Sequence, residues 1–577
     1  MIKSFLAKIN LNTKSMLKYG TIANLTVLLI IVLLGEDNVM LAFPITLTAI
    51  ALSFENLNIK PIYKIIRLLL IDCLLVTLSF ISSLYPYTGI IINFITIFFI
   101  SYFLTVRYNP KIYKPFIMLY VFTSFSTPAL SSYINRLLVI FLGIFIVVMF
   151  ILISSLFNKK EFIKDTLCHP LSLFSEQLNS LSNGLFDEKI YSNISKELRG
   201  LCYKIYTTRY RNNLTTNLGK INFDIYIILG KLHIYLKEFS LNNNYNNNFS
   251  LELRVFFGEL KILIDSILKK IETDDSSENI LKDLDIFISL YSDISYYNYL
   301  ISILKELQNS IKELYSLNKK DINKKYITWK RSDIDRIKNY FINNFYFGSI
   351  RLNFALRISI TLSLTIFLGN IYSIYKFIWV AITIMSVMQP YYEDTISKGK
   401  ERLKGNFIGI FFLITVLTIS DNKYLTMIIL VISLYLTYGF KEYYKLSTFT
   451  AMASISVASL STSLNVIAIH RIIFILLGVI IVIIANKFLF PYKLKTGIYH
   501  LITKLFKYNY FLIDAYIKDN QIRIRDLIIL STLSSDKLYM RNLEFKDNRV
   551  NLIIEETNKT FINIGYNELI LKKEHQS

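Results

Sequence analysis

Apolar and polar positions divide the chain into blocks in a fixed order. Six apolar runs of helical length come first, at 21–34, 40–54, 68–84, 89–106, 116–130 and 137–157. A polar interval follows. Six more runs occupy 352–369, 374–389, 405–420, 424–440, 446–464 and 471–489. Several fall short of the ~20 residues a perpendicular span needs, and neutral flanking residues make up most of the difference. In the interval, apolar residues recur three and four apart, as in Leu251, Val255, Phe256, Leu260, Ile262, Leu263 and Ile267, then Leu281, Leu284, Ile286, Ile288 and Leu290. That period predicts amphipathic helices. The stretches from Asn242 to Asn248 and from Thr273 to Ser277 read as loops between antiparallel helices. After Pro491 the same period returns through Ile498, Leu501, Leu505, Leu512, Leu527 and Ile528, and the tail is expected to pack on the central helices.

The two apolar blocks also match each other. Displaced by 335 positions without gaps, Thr48 falls on Thr383, Arg67 on Arg402, Ser124 on Ser459, Ser126 on Ser461, Thr127 on Thr462, Arg136 on Arg471 and Gly143 on Gly478. Apolar coincidences are cheap in such sequence; polar ones in one register point to duplication. The expected fold is an all-α membrane protein: a duplicated six-helix transmembrane bundle with a cytoplasmic helical domain. Its parts are a first transmembrane half (1–157), a cytoplasmic bundle (158–350), a second half (351–490) and C-terminal cytoplasmic helices (491–577). An even number of spans in each half makes the repeat parallel.

Composition agrees: of 577 residues, 53% are hydrophobic. The net charge of +22 raises the question of nucleic acid. The cations instead flank the apolar runs on alternating sides, at Lys3 to Lys18, Lys60 to Arg67, Arg107 to Lys114 and Lys159–Lys160, while Glu36 and Asp37 lie opposite. By the positive-inside rule both termini and the interval face the cytoplasm, and nucleic acid is not an expected partner. The first run is read as a retained span, because no small-x-small site follows Leu34. Three scattered cysteines, Cys73, Cys168 and Cys202, do not make a disulfide framework.

Candidate chemistry lies in the spans. Asp72 is the acidic group inside an apolar run and the candidate for proton coupling, with interfacial pairing to Arg67 or a lysine as the plainer alternative. Arg136 and Arg471 stand at the outer ends of the sixth and twelfth spans, where the charge rule does not want arginine; they either snorkel to headgroups or face inward. Arg357, early in the seventh span, is a third candidate, at the membrane-water boundary. The hydroxyl clusters at Ser124, Ser126 and Thr127 and at Ser459, Ser461 and Thr462 are either helix glue or a polar lining. The densest motif holds Trp379, Gln389–Pro390, Thr395, Arg402, Gly405 and Gly409; the two glycines share a helix face and allow close packing. No phosphate loop, HExxH or GxSxG is present and the five histidines are dispersed, so no enzyme, cofactor or metal site is expected.

The order of blocks, with Arg351-x-x-x-Ala355-Leu356-Arg357 and the Trp379-to-Gly409 series, resembles the fusaric-acid-resistance family. The resemblance implies an aromatic-acid exporter of a bacterial inner membrane, similar also to plant malate channels. Arg67, Arg357 and Arg402 would concentrate a small organic anion at the inner mouth, the hydroxyl clusters would line its route, and Arg136 and Arg471 would hold it near the exit. Leu70 and Leu74 replace the two glycines in the first half, a departure from the pattern. A passive anion channel and a non-transporting scaffold remain the alternatives. Partners besides the bilayer and the anion stay open, among them a second copy of the chain and an accessory export subunit.

Overall fold

The structure is a computed structural model that describes residues 11–35, 39–51, 61–104, 112–125, 129–156, 161–208, 214–244, 251–273, 275–317, 321–322, 324–330, 345–419, 423–459 and 464–574. Among these residues the regular structure is helical, with two isolated β-bridges, Leu11 with Phe440 and Thr216 with Lys325. The first six helices are α1 (Thr13–Leu34), α2 (Val39–Ala51), α3 (Pro61–Leu84), α4 (Pro86–Leu104), α5 (Tyr113–Ser124) and α6 (Leu130–Leu156). In the interval come α7 (Glu161–Ser182), α8 (Glu188–Thr208), α9 (Asn217–Asn244), α10 (Leu251–Glu272), α11 (Ser277–Tyr291) and α12 (Asn298–Ser316). The second apolar block forms α13 (Ile350–Ile371), α14 (Ile378–Val387), α15 (Tyr392–Ile419), α16 (Lys423–Gly439), α17 (Tyr443–Ser459) and α18 (Leu464–Phe488). The tail forms α19 (Leu494–Ile517), α20 (Gln521–Phe545) and α21 (Asn548–Glu574).

These helices fall into two compact units, Met1–Phe157 with Tyr340–Gly497, and Asn158–Asn339 with Ile498–Ser577. In the first, α1 packs on α2 and α6 while α13 packs on α14 and α18; α2 meets α6 and α14 meets α18; α3 meets α5 and α6 while α15 meets α17 and α18. Across the halves, α13 lies along α4 and α16 along α1. Small residues permit the same contact twice. A Cβ on Gly143 of α6 would stand 2.5 Å from Ile45 Cγ2 on α2, and one on Gly478 of α18 would stand 2.8 Å from Thr383 Cβ on α14.

Six described helices are long and apolar enough to cross a membrane: Ser15–Leu33, Ile62–Leu84, Pro86–Leu104, Leu130–Phe150, Ile350–Ile371 and Val466–Phe488. Three apolar helices are shorter: Leu41–Ile50, Ile378–Val387 and Tyr424–Gly439. The expected count of twelve full spans is therefore reduced here. Helix α14 is 10 residues long and rises about 15 Å, half of a ~30 Å hydrocarbon core. In α15 the charged turns from Glu393 to Lys404 are part of the helix itself. Apolar composition does not separate a short buried helix from a span, and α2 and α14 are buried nearly throughout.

Gly405 and Gly409 of α15 face α17. A Cβ on Gly405 would lie 2.3 Å from the Tyr444 carbonyl oxygen, and one on Gly409 2.7 Å from that of Thr448. Backbone cannot yield as a side-chain tip does. Gly405→Ala is expected to cost about 1–3 kcal/mol and to lower the melting temperature of the solubilised protein. Gly399→Ala, whose added Cβ would meet the Val479 side chain at 3.3 Å, serves as the control; equal melting temperatures would contradict the close approach.

In the second unit α7 packs on α10 and α8, α9 on α8, α12 and α21, and α20 on α8 and α21. The tail thus joins the central bundle as the sequence suggests. Arg199 of α8 donates to Asp536 of α20 at 3.0 Å, and Lys237 of α9 pairs with Glu555 of α21.

Candidate functional site

Several arginines of the first unit are buried in it. Among the described residues, Arg136, Arg351, Arg357, Arg402 and Arg471 are all buried there against one buried carboxylate, Asp72. A buried guanidinium without a carboxylate is costly unless other acceptors or a bound anion meet it.

Three helices bring the second-half group together. Arg402 and Asn406 are one turn apart on α15, Arg471 is on α18, and Trp379 lies in the first turn of α14. Asn406 Nδ2 donates to the Arg402 carbonyl at 2.8 Å and to Ser447 Oγ at 2.9 Å, while its Oδ1 accepts from Arg471 Nε at 3.2 Å. The Arg471 guanidinium stands 5.2 Å from the centre of the Trp379 ring, within cation–π range. Arg402 Nε is buried and meets no acceptor. Two guanidinium groups, an amide and an indole therefore share one apolar interior, with donors in excess of acceptors.

Arg357 is fully buried, with both Nη groups on backbone and its Nε meeting no acceptor. Nη1 donates to the Phe490 carbonyl at 3.2 Å, and Nη2 to those of Gln389 at 3.0 Å and Pro390 at 2.9 Å. It ties α13 to the α14–α15 link and to the end of α18. Thr395 Oγ1 steadies the same link by accepting from Gln389 N at 3.1 Å and from Asn486 Nδ2 at 2.5 Å.

In the first half, Arg136 Nη2 donates to Ser132 Oγ at 3.1 Å, and Nη1 reaches the Thr123 carbonyl at 3.5 Å. Ser124 is buried and donates to the Tyr120 carbonyl; Ser459 donates to the Ser456 carbonyl. These two bonds stay within their own helices. Ser126, Thr127, Ser461 and Thr462 lie outside the described residues. Arg67 is exposed on α3, as are Leu70 and Leu74. Asp72 lies three turns into α3, because that helix starts at Pro61, and is fully buried. Its Oδ2 accepts from Thr48 of α2 at 2.8 Å, and its Oδ1 meets no donor. A hydroxyl stands where the sequence suggested Arg67 or a lysine.

Residues 364–485, from the last two turns of α13 through nearly all of α18, match the family model described as fusaric acid resistance protein-like. That segment is similar to the fusaric acid resistance protein-like family. The match contains Trp379, Arg402, Asn406, Gly405, Gly409 and Arg471, and it bears out the resemblance read from the Trp379-to-Gly409 series. No curated protein and no solved structure matches. The fusaric acid resistance protein-like segment also holds a residue that sequence reasoning passed over. Asn406 is an amide inside an apolar run, and that was its available signal.

Proposed function

We propose that this protein exports small organic anions of the aromatic carboxylate type across a bacterial inner membrane, with both termini cytoplasmic. The observation that carries the reading is the set of buried arginines in an apolar unit that has, among the described residues, a single buried carboxylate. An anion entering it would supply the acceptor that Arg402 Nε lacks, and Trp379 offers a ring face to an aromatic body. Duplication of a six-helix bundle is supported by the pairings that recur in both halves. The short helices α2 and α14 occupy corresponding places and carry the matched Thr48 and Thr383, the kind of interrupted pair that marks a central site in repeat transporters. Asp72, held by one hydroxyl, is the proton-coupling group of this proposal.

Purified protein in liposomes, given benzoate and a pH gradient, tests this. Uphill movement is expected in the native protein. Arg402→Gln and Arg471→Gln should each lose at least tenfold in rate at equal membrane content, and Asp72→Asn should keep downhill movement while losing its response to the gradient. Unchanged rates in both arginine variants would sink the anion site; unitary currents without uphill movement would replace the exporter with a channel.

A further inference from the structure

The second unit holds a polar cavity of its own. It lies among α9, α12, α20, α21 and the short helical turn Ile327–Trp329, and it opens to solvent. Charges of both signs line it: Lys220 and Asp224 on α9, Glu313 on α12, Arg525 on α20 and Glu568 on α21.

The chain fixes one wall of this cavity firmly. The Trp329 carbonyl accepts from Leu214 N at 2.9 Å, and Phe223 packs edge-on to the indole at 5.4 Å. The Arg525 guanidinium lies over the same ring at 4.7 Å. Lys220 is committed already, to Asp224 at 2.9 Å and Glu313 at 2.5 Å. Burial alone would lower its pKa, but the two carboxylates outweigh that and hold it above its ordinary value.

Two donors on this wall have no close hydrogen-bond acceptor. Trp329 is 1% exposed, and its indole N–H meets no acceptor. Arg525 is 8% exposed, and its Nη2 forms an ion pair with Glu568 Oε2 at 3.6 Å, longer than a hydrogen bond. A buried donor without a close acceptor is destabilising, more so when it is charged. A guest that supplies an acceptor to both would recover that cost, and an anion alone would do so only against the neighbouring Glu568 and Glu313. A guest carrying its own cation turns that repulsion into attraction.

We propose that this cavity binds a small zwitterion of the amino acid class, its carboxylate on Arg525 and Trp329 and its ammonium toward Glu568 and Glu313. The site lies within the second unit and is independent of the transport reading. It gives the bundle a ligand of its own, distinct in charge type from the anion proposed for the membrane unit.

The chain has two tryptophans, so Trp379→Phe leaves Trp329 as the fluorescent reporter in the full-length protein. Glycine and 4-aminobutanoate are titrated in turn, with acetate and methylammonium as probes of each half alone. A saturable change in emission with at least one zwitterion, at least tenfold weaker with acetate and with methylammonium, supports the site. Glu313→Gln, at a half-exposed position that tolerates the change, and Arg525→Gln should each weaken the response at least tenfold. The proposal is overturned if neither zwitterion gives saturation at tens of millimolar, if acetate alone binds as well, or if Glu313→Gln leaves the response intact. An Arg525→Gln protein with lost helical circular dichroism is set aside in favour of the Glu313→Gln result, which then decides.

Discussion

Arg357→Met is expected to destabilise the membrane unit by several kcal/mol and to leave little folded protein in detergent. The side chain is fully buried and satisfies three carbonyls from two separate places in the chain, Gln389 and Pro390 at one and Phe490 at the other. Hydrogen bonds to a charged group contribute about 1.5–3 kcal/mol each, and stranding the acceptors adds their desolvation. Methionine fills similar space without a donor, so the loss reports the bonds rather than a void. Arg357→Lys should recover part of it, since an ammonium can reach some of the carbonyls but lacks the planar fork that spans them. Size-exclusion profiles and melting temperatures of the three proteins measure the effect. A methionine variant as stable as the native chain would remove Arg357 from this structural role.

Mild acid is expected to loosen the second unit through His233. Its ring is buried on α9, within 2.8 Å of Ser195 Oγ and stacked on Tyr191 with centroids 3.9 Å apart. Burial first, then the charges of Lys237 and Arg199, push its pKa from the ordinary 6.5 down to about 3. The folded form therefore keeps the imidazole neutral across a range in which the unfolded chain takes up a proton. Stability from this group is complete above pH 6.5 and is lost as pH falls toward 3. At pH 5 the loss is about 2 kcal/mol, taking ~1.4 kcal/mol per pH unit below 6.5. His233→Gln keeps a polar partner for Ser195 and cannot titrate. Unfolding followed by circular dichroism between pH 7 and pH 5 should show a slope in the native chain that the variant lacks; identical slopes would assign the acid response to other groups.

Much of this arrangement is readable before any coordinates. Helical period marks α10 and α11, although one stripe is split: Phe256, Leu260, Leu263 and Ile267 are buried while Leu251, Val255 and Ile262 are exposed. Periodicity says which residues share a face and not how wide the buried face is. Arg136 and Arg471 stand out because polar matches at one offset are improbable, and both are buried. Asn406 has no such partner, since Ile71 occupies its counterpart. The pairing of Asp72 with Thr48 joins two helices whose register no local signal encodes. Span length was the other blind spot, because α14 ends at Val387 where the apolar run continues to Met388 before Gln389 and Pro390.

The crossed packing of α13 on α4 and of α16 on α1 bears on biogenesis. As the ribosome delivers the chain, α1 reaches the bilayer long before α16 exists, with the whole polar interval still to be translated between them. Until then its α16-facing flank, where Gly20 sits close against Tyr435, has only lipid or an insertion factor to cover it. Neither half covers that flank by itself, so the membrane unit is completed only once α16 has been made.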